Sequence, residues 1–265
     1  PVGSFLIPKD CRKHVHAFYL FARNADDISD DPHLPNSEKL KSLTAIQESL
    51  SDKPQNLPDW AKPYYYTLVE TGTSAKNGKD LLSAFIQDVN KSRYANWDEL
   101  MDYCYRSAAS VGKVLIDIHG EKNADIEGAD ALCNALQVLN HLQDCRADFY
   151  DLNRIYLPLA FFKEEAIVYN ALKTQRSCKD FRLGIEKILS NTNTLIKDAK
   201  SLPRSLLSRR LSMETQSIIN IADKLSKKLS ENDPLLNRIK LSKTQYLFCC
   251  ILGGIKGLVL GTKFA

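Results

Sequence analysis

Apolar residues recur at helical spacing along almost the whole chain, and the alternation that marks a strand is nearly absent. The pattern breaks at turn-forming residues, in the segments 31–35, 51–58, 72–78 and 120–128. Between the breaks the sequence predicts helices at 9–29, 37–50, 58–74, 78–92, 97–118, 128–150, 163–173, 178–200, 204–229 and 234–262. No connection is long enough to be a domain linker, so residues 1–265 are predicted to form a single all-α domain.

The most apolar segment runs from Tyr246 to Gly261 and is interrupted by Lys256. It is shorter than the ~20 residues that a membrane-spanning helix needs, so no transmembrane helix is predicted. Gly253, Gly257 and Gly261 fall on one helix face, although each glycine costs ~0.8–1 kcal/mol relative to alanine. Either a close helix crossing, which we favour, or room for a bulky apolar ligand would explain them.

The composition is that of a soluble globular protein, with 265 residues of which 44% are hydrophobic and 26% charged. A net charge of +4 gives no reason to expect a nucleic-acid partner. The seven cysteines are odd in number and form no Cys-x-x-Cys pair, so we expect reduced thiols in a cytoplasmic protein. The chain begins at Pro1 and not at a methionine, and N-terminal residues are therefore expected to be missing.

Two helical segments each carry a row of polar residues on one face. The first row is Tyr19, Arg23, Asp26 and Asp30, and the second is Gln137, Asn140, Asp144 and Asp148. Aspartates one turn apart destabilise a helix, and one such row alone is usually a solvated face. Two matched rows in strongly apolar helices suggest instead that the carboxylates converge on one cavity, where cations must offset their repulsion.

The ligand types indicate which cation this would be. Carboxylate and amide oxygens suit Mg²⁺, which also binds the phosphates of a substrate. A di-iron bundle would need Glu-x-x-His pairs, which are absent, and His14 and His16 lie on different helix faces, which argues against zinc. Lys91, Arg93 and Arg154 follow helical segments and could hold a diphosphate, although each alone is more often a solvated surface charge.

These motifs resemble those of the squalene/phytoene synthase family. The family's Arg-preceded Asp-x-x-x-Asp element matches Arg23 and residues 26–30, and its Asn-x-x-x-Asp-x-x-x-Asp element matches residues 140–148. The small residues in the segment 103–112 resemble the family's central helix. The resemblance covers roughly residues 8–160, and the remainder fits only as a helical pattern. The opening residues 1–8, the run 84–94 and Gln143 are most similar to the branch that forms hydroxysqualene in the hopanoid pathway.

The resemblance implies an isoprenoid-synthase-type helical bundle around a deep apolar cavity. It implies Mg²⁺, with Mn²⁺ as a substitute, and metal ligands at Asp26, Asp30, Asn140, Asp144 and Asp148. Tyr19 and Arg23 join these as catalytic residues, and no nicotinamide is expected. The implied substrate-binding residues are Lys91, Arg93, Tyr103, Ala108, Val111, Gly112, Gln137, Arg154 and Tyr156.

The implied reaction converts presqualene diphosphate to hydroxysqualene by diphosphate ionisation, cation rearrangement and water capture. Head-to-head condensation of two farnesyl diphosphates to presqualene diphosphate or squalene is the first alternative. A non-catalytic relative that serves assembly or binding is the second, although such a protein would be expected to have lost metal ligands. Upstream and downstream enzymes of the hopanoid pathway are expected partners.

Contact with the inner face of a membrane is a further hypothesis, because a C30 substrate comes from the bilayer and cations near an anionic surface are attracted to it. A solvated helix face is the alternative explanation. The cations concerned lie in the C-terminal third and are Arg204, Arg209, Arg210, Lys224, Lys227, Lys228, Arg238, Lys240 and Lys243.

Overall fold

The fold is helical throughout, as predicted. The structure is a computed structural model that describes residues 7–260, without the side chain of residue 260. Part of the opening segment 1–8 and Gly261 therefore lie outside the described residues. The helices are α1 (Lys9–Asp30), α2 (Asn36–Ser49), α3 (Lys62–Thr71), α4 (Ala75–Asn90), α5 (Trp97–Cys104), α6 (Ser110–Ile118), α7 (Ile126–Leu152), α8 (Glu165–Thr174), α9 (Lys179–Asp198), α10 (Leu202–Ser205), α11 (Arg209–Glu231) and α12 (Lys243–Leu260).

Capping residues explain where several helices begin and end. Ser74, Asp125 and Ser208 cap α4, α7 and α11, each accepting a hydrogen bond from a backbone N–H of the first turn. Gly72 follows α3 with φ +67°, and Asn153 follows α7 with φ 52°, both in the left-handed region that stops a helix. These caps place α3 inside the predicted range 58–74 and extend α7 beyond the predicted range 128–150.

Two predicted helices are wrong in part. The helix predicted at 234–262 begins only at Lys243. Asp233 does not cap a helix but holds a turn, because its Oδ1 accepts bonds from the Ser177 hydroxyl (2.6 Å) and the Leu235 amide (2.9 Å). The helix predicted at 204–229 is divided, because Leu206 is extended between α10 and the Ser208 cap.

A π-helical turn interrupts the helix predicted at 97–118. The turn spans Tyr105–Ala109 and joins α5 to α6 without a break in the helical path. Arg106 secures it, donating to Ser83 (3.2 Å), Gln87 (2.6 Å) and Asp102 (2.6 Å). Such turns carry one extra residue within an α-helix and are frequent at functional sites.

One small parallel ribbon interrupts the helical pattern. Strand β1 (Arg93–Tyr94) pairs with β2 (Ile155–Pro158), and the two follow α4 and α7. The ribbon therefore holds the ends of these two helices side by side. This arrangement matters for the site, since α4 and α7 both carry buried or half-buried aspartates near these ends.

Buried side chains form two clusters with α7 at the centre of the larger one. The larger cluster joins α5, α7, α9 and α11, and the smaller joins α1, α2, α3, α4 and part of α6. In residues 7–260 no helix is both long and apolar enough to cross a bilayer. All seven cysteines are unpaired.

The glycines of α12 permit a close helix crossing. A Cβ built on Gly257 would lie 2.5 Å from the Met213 Cα, and one on Gly253 would collide with the backbone of Ser217. The hydroxyls of Ser212 and Ser217 donate to carbonyls of α12 at 3.1 Å, which closes the contact. The favoured explanation is confirmed for both described glycines, which leave no space for a ligand.

Replacement of Gly257 by alanine should destabilise the protein. The added methyl group must push α12 away from the α11 backbone, which we expect to lower the free energy of unfolding by ~1–3 kcal/mol. Gly254→Ala is the matched control, because its Cβ would meet only the end of the Met213 side chain at 3.5 Å. Urea unfolding that shows equal effects for the two variants would contradict the close crossing.

Candidate active site

An apolar cavity of about 350 Å³ lies between the two core clusters. Its walls come from α1, α6, α7, α10 and α11, and they include Val15, Phe18, Tyr19, Ala22, Val111, Gly112, Leu115, Leu132, Leu136, Leu202, Leu211 and Ile218. Three of the predicted substrate or catalytic residues, Tyr19, Val111 and Gly112, therefore line it. Ala108 lies in the π-helical turn and is not part of this lining.

Gly112 sets the position of one cavity wall. A Cβ at this residue would lie 2.6 Å from the Cys133 Sγ on α7. Glycine thus lets α6 and α7 approach, and any larger residue would push the two walls apart. Both Gly112 and Cys133 line the cavity at this contact.

The first carboxylate row continues the cavity wall of α1. Tyr19 and Ala22 line the cavity, and Asp26 and Asp30 follow on the same helix face. Burial, followed by the nearby Asp30 carboxylate, raises the pKa of Asp26 to about 6. Arg23 opposes this shift, and its guanidinium lies 3.3 Å from an Asp26 oxygen.

The second row continues the cavity wall of α7 in the same way. Leu136 lines the cavity, and Asn140, Asp144 and Asp148 follow on nearly the same face. Burial raises the pKa of Asp144, an effect that the Arg238 guanidinium opposes and Asp148 reinforces. Arg238 contacts both Asp144 oxygens, with its Nε at 2.5 Å and its Nη2 at 2.6 Å.

Arg154 joins the two rows. It follows α7, and its Nη1 donates to an Asp30 oxygen at 2.6 Å while its Nη2 donates to the Ser29 carbonyl at 3.4 Å. Its backbone N–H donates to the Asp148 carbonyl at 2.9 Å, a geometry that the left-handed Asn153 makes available. The side chain is only 8% exposed, so a buried cation ties the end of α7 to the end of α1.

A buried aspartate that sequence analysis did not select lies beside this junction. Asp88 on α4 is 7% exposed and accepts hydrogen bonds from Tyr103 (2.7 Å) and Tyr156 (2.8 Å). Burial raises the pKa of Asp88, and the charge of Arg154 is the largest opposing effect. The Asp88 charge also contributes to the raised pKa of Asp26. An aspartate within the apolar run 81–89 was the available signal.

Aromatic rings cover this aspartate. The ring of His141 stacks on that of Tyr156, with centroids 3.9 Å apart, and Tyr103 packs against Tyr156 at 5.3 Å. Gln137 contacts the Nε2 of His141 at 3.1 Å, and the His141 Nδ1 lies 3.8 Å from an Asp148 oxygen. Tyr103, Gln137 and Tyr156 thus belong to a buried polar cluster and are not among the residues that line the apolar cavity.

The two basic residues after α4 have different surroundings. Arg93 bonds the Asn153 side chain (2.7 Å) and the Tyr169 hydroxyl (2.9 Å), so its guanidinium secures the turn after α7. Lys91 pairs with Glu99 at 2.9 Å and lines a polar cleft of about 260 Å³ together with Arg154. Lys91 and Arg154 therefore share a cleft, whereas the Arg93 donors are engaged elsewhere.

The donor set suits Mg²⁺, because it consists of carboxylate and amide oxygens. Within residues 7–260, no three His, Cys, Asp or Glu side chains are grouped closely enough to hold a metal ion. Arginine side chains pair with the carboxylates instead, and they are Arg23, Arg154 and Arg238. The residue types therefore suit Mg²⁺. For Asp144 to become a metal ligand, Arg238 must first release the Asp144 carboxylate.

Comparisons with known proteins agree with this architecture. The family model of squalene/phytoene synthases matches residues 1–245. The hydroxysqualene synthase of Zymomonas mobilis is 37% identical over 93% of this chain and 84% of its own. That of Sinorhizobium fredii is 36% identical over the same shares. The crystal structure of squalene synthase HpnC from Alicyclobacillus acidocaldarius superposes with a TM-score of 0.76 at 24% identity, covering 90% of this chain and 89% of that one.

The fold is thus the all-α fold of isoprenoid synthases. The chain belongs to the squalene/phytoene synthase family, whose members are enzymes of isoprenoid biosynthesis. The family that the two carboxylate rows indicated is confirmed. The relatives also agree with the branch that the run 84–94 suggested.

Asp26→Asn should change how stability depends on pH in the metal-free protein. The folded-state pKa of about 6 lies above the ordinary 3.8, so the folded chain binds this proton more tightly than the unfolded chain. Stability from Asp26 is then present below pH ~4 and is lost as pH rises towards 6. We expect Asp26→Asn to melt above wild type at pH 7 and near it at pH 4.

Asp27→Asn is the matched control, because Asp27 is exposed and pairs with the same Arg23 at 2.6 Å. Scanning calorimetry with EDTA should show a smaller pH-dependent difference for this variant. Equal behaviour of the two variants, or an Asp26→Asn protein that is less stable at pH 7, would contradict the crowding of carboxylates at this position.

Tyr156→Phe should destabilise the fold, because it removes a hydrogen bond to the buried Asp88 carboxyl. Loss of one partner of a buried charged group costs about 1–3 kcal/mol. Tyr94→Phe is the control, since the equally buried Tyr94 hydroxyl accepts only from Gln87 at 3.1 Å. Urea unfolding in which Tyr156→Phe is no worse than Tyr94→Phe would show that Asp88 does not need this donor.

Proposed function

We propose that this enzyme converts presqualene diphosphate to hydroxysqualene. The observation that carries the proposal is the junction at Arg154, whose side chain pairs with Asp30 of the first row and whose backbone N–H bonds the Asp148 carbonyl of the second, at the ends of two helices that also line the apolar cavity. Support for this reaction, among those of the family, comes from hydroxysqualene synthases that are 35–37% identical over 93% of the chain.

The carboxylate rows would hold the metal. Asp26, Asp30, Asn140, Asp144 and Asp148 are the proposed ligands. Mg²⁺ supplies Lewis acidity that neutralises the charge developing on the departing diphosphate.

Basic residues beside these rows would bind the diphosphate oxygens. Arg154 and Lys91 line the polar cleft together, and Arg23 precedes Asp26 by less than one turn. Their donors form charge-assisted hydrogen bonds, which hold the diphosphate where the C–O bond breaks. Release of Asp144 would also free the Arg238 guanidinium for the same anion.

The apolar cavity would control the carbocation. Cleavage of the C–O bond leaves its electron pair on the diphosphate and a cyclopropylcarbinyl cation in the cavity. The cation rearranges with ring opening, water adds through its oxygen, and loss of one proton gives hydroxysqualene. Apolar walls delay premature hydrolysis, and the face of Tyr19, which lines the cavity, can stabilise positive charge.

The cellular setting follows from the substrate and the thiols. Unpaired cysteines support a cytoplasmic location. An upstream enzyme must supply the prenyl diphosphate, and a downstream enzyme must consume the alcohol, so hopanoid-pathway enzymes remain the proposed partners. No nicotinamide is required by a reaction that ends in water capture.

Separate incubation with presqualene diphosphate and with farnesyl diphosphate tests the reaction. We expect hydroxysqualene from presqualene diphosphate, with Mg²⁺ and not with EDTA, and ¹⁸O from labelled water in the new hydroxyl. Presqualene diphosphate or squalene formed from farnesyl diphosphate would support the condensation alternative. Absence of turnover with both substrates in a folded, Mg²⁺-supplied protein would support a non-catalytic relative.

Asp26→Asn and Asp144→Asn should each lower kcat by about 100-fold or more. Each substitution removes a carboxylate that would hold the metal ion, and this ion would stabilise the departing diphosphate. Asp27→Asn should retain most activity, since Asp27 is exposed and faces away from the cavity side of α1. Single-turnover assays at saturating Mg²⁺ measure the effect. Full activity of Asp26→Asn or Asp144→Asn would overturn the proposed metal site.

A further inference from the structure

Helix α12 is apolar around almost its whole circumference. One edge, which includes Cys249, Gly253 and Gly257, is buried against α11. The opposite side is exposed, and we call it the outer face of α12. It consists of Leu247 (59% exposed), Phe248 (63%), Ile251 (52%), Leu252 (37%), Ile255 (59%) and Leu258 (47%).

An exposed apolar face of this kind indicates contact with another molecule or with a membrane. A helix that is apolar all round is normally buried, and soluble proteins rarely expose a contiguous apolar patch of this kind. No segment within residues 7–260 covers the outer face, because its side chains remain exposed in the folded chain. The contact with α11 fixes the orientation of α12, so the face is a rigid surface and not a frayed end.

The charges around the outer face indicate which kind of partner would bind there. Residues 243–260 contain no Asp or Glu, and Lys243 and Lys256 stand on this helix. Lys224 and Lys227 of α11 share the adjoining groove with Lys256 and with Asp223, whose carboxylate pairs with Lys200 at 3.4 Å. Within the described part of the chain, no carboxylate pairs with Lys224, Lys243 or Lys256, whereas Lys227 has a loose contact with Glu231 at 3.8 Å.

A positive rim around an apolar face matches a lipid bilayer with anionic headgroups. Apolar side chains enter the acyl boundary to a depth of ~5–10 Å, and the lysines contact the headgroups. A second copy of this chain fits less well, because a symmetric pair would place one lysine rim against another. Because the outer face runs along the length of α12, the helix would lie in the plane of the surface.

The position of α12 also suits a lipid-like substrate. Helix α11 separates α12 from the apolar cavity: its Leu211 and Ile218 line the cavity, and its Met213 and Ser217 contact α12. The axis of α12 is thus ~10 Å beyond that of the helix that lines the cavity. This step alone rests on the proposed function, because it assumes that the cavity takes a prenyl chain.

We propose that the outer face of α12 docks the enzyme on an anionic bilayer surface. The sequence suggested membrane contact through the many cations of the C-terminal third. The present proposal assigns that contact to one apolar face and to the lysines at its edge. Arg238 is excluded from this contact, since its guanidinium pairs with Asp144 at the site.

Vesicle flotation tests the proposal. Wild type should float with vesicles of phosphatidylcholine and phosphatidylglycerol, and less with phosphatidylcholine alone. Ile255→Glu and Phe248→Glu should each lower the partition coefficient by about tenfold or more, since a carboxylate on this face opposes burial and repels the headgroups. Lys256→Glu should lower it more on anionic than on neutral vesicles.

Val69→Glu is the matched control, because Val69 on α3 is 66% exposed and lies outside the outer face of α12. It should float like wild type, and circular dichroism should show all four variants folded. Absence of wild-type flotation on anionic vesicles, or unchanged flotation of both Ile255→Glu and Phe248→Glu, would overturn the proposal. A wild-type dimer that Ile255→Glu converts to a monomer in light scattering would overturn it in favour of a second copy.

Flotation does not depend on catalysis, so the docking proposal and the proposed function can fail separately. Turnover of detergent-dispersed presqualene diphosphate should be unchanged in Ile255→Glu. Loss of flotation with intact turnover supports docking alone as the role of the outer face, whereas loss of turnover in detergent would show that this face serves catalysis instead.

Discussion

The site depends on the ion pair between Arg154 and Asp30, which joins the ends of two helices that are far apart in sequence. Within each row the aspartates act on one another, because Asp30 raises the pKa of Asp26 and Asp148 raises that of Asp144. The buried guanidinium of Arg154 pairs with Asp30, and its backbone N–H bonds the Asp148 carbonyl, so one residue connects the two helix ends. Removing one partner of such a buried pair is costly, because the other charge stays desolvated. The same arginine also opposes the rise that burial causes in the pKa of Asp88.

The apolar cavity and the buried polar cluster around Asp88 are formed by different sets of side chains. Most residues that line the cavity are aliphatic or aromatic and come from α1, α6, α7, α10 and α11, and the lining also includes His119, Glu214 and Thr215. The polar cluster of Asp88, Tyr103, Tyr156 and His141 lies apart from that lining and satisfies its own hydrogen bonds. The cluster instead stiffens the place where α4, α5 and α7 meet.

Helical periodicity predicted the fold class, and the spacing of aspartates predicted both carboxylate rows, because each is a local property of one helix. Tyr103 and Tyr156 were predicted to contact the substrate, yet they donate to Asp88, and no spacing in the sequence shows that pairing. The contact of Arg238 with Asp144 was equally invisible, since it depends on the extended course of residues 235–242. Long-range partners of charged groups are decided by packing, and local sequence carries little of that information.

The π-helical turn at Tyr105–Ala109 has a consequence for how the cavity wall can change. One extra residue in a helix rotates everything beyond it by about 100° relative to a regular helix. Tyr103 before the turn therefore faces Asp88, while Val111 and Gly112 after it face the cavity. The two halves are geometrically uncoupled, so a substitution in α6 can reshape the cavity wall without disturbing α5. Deletion of a single residue from the turn would, by contrast, rotate every residue of α6 about the helix axis by about 100° and so change which side chains face the cavity.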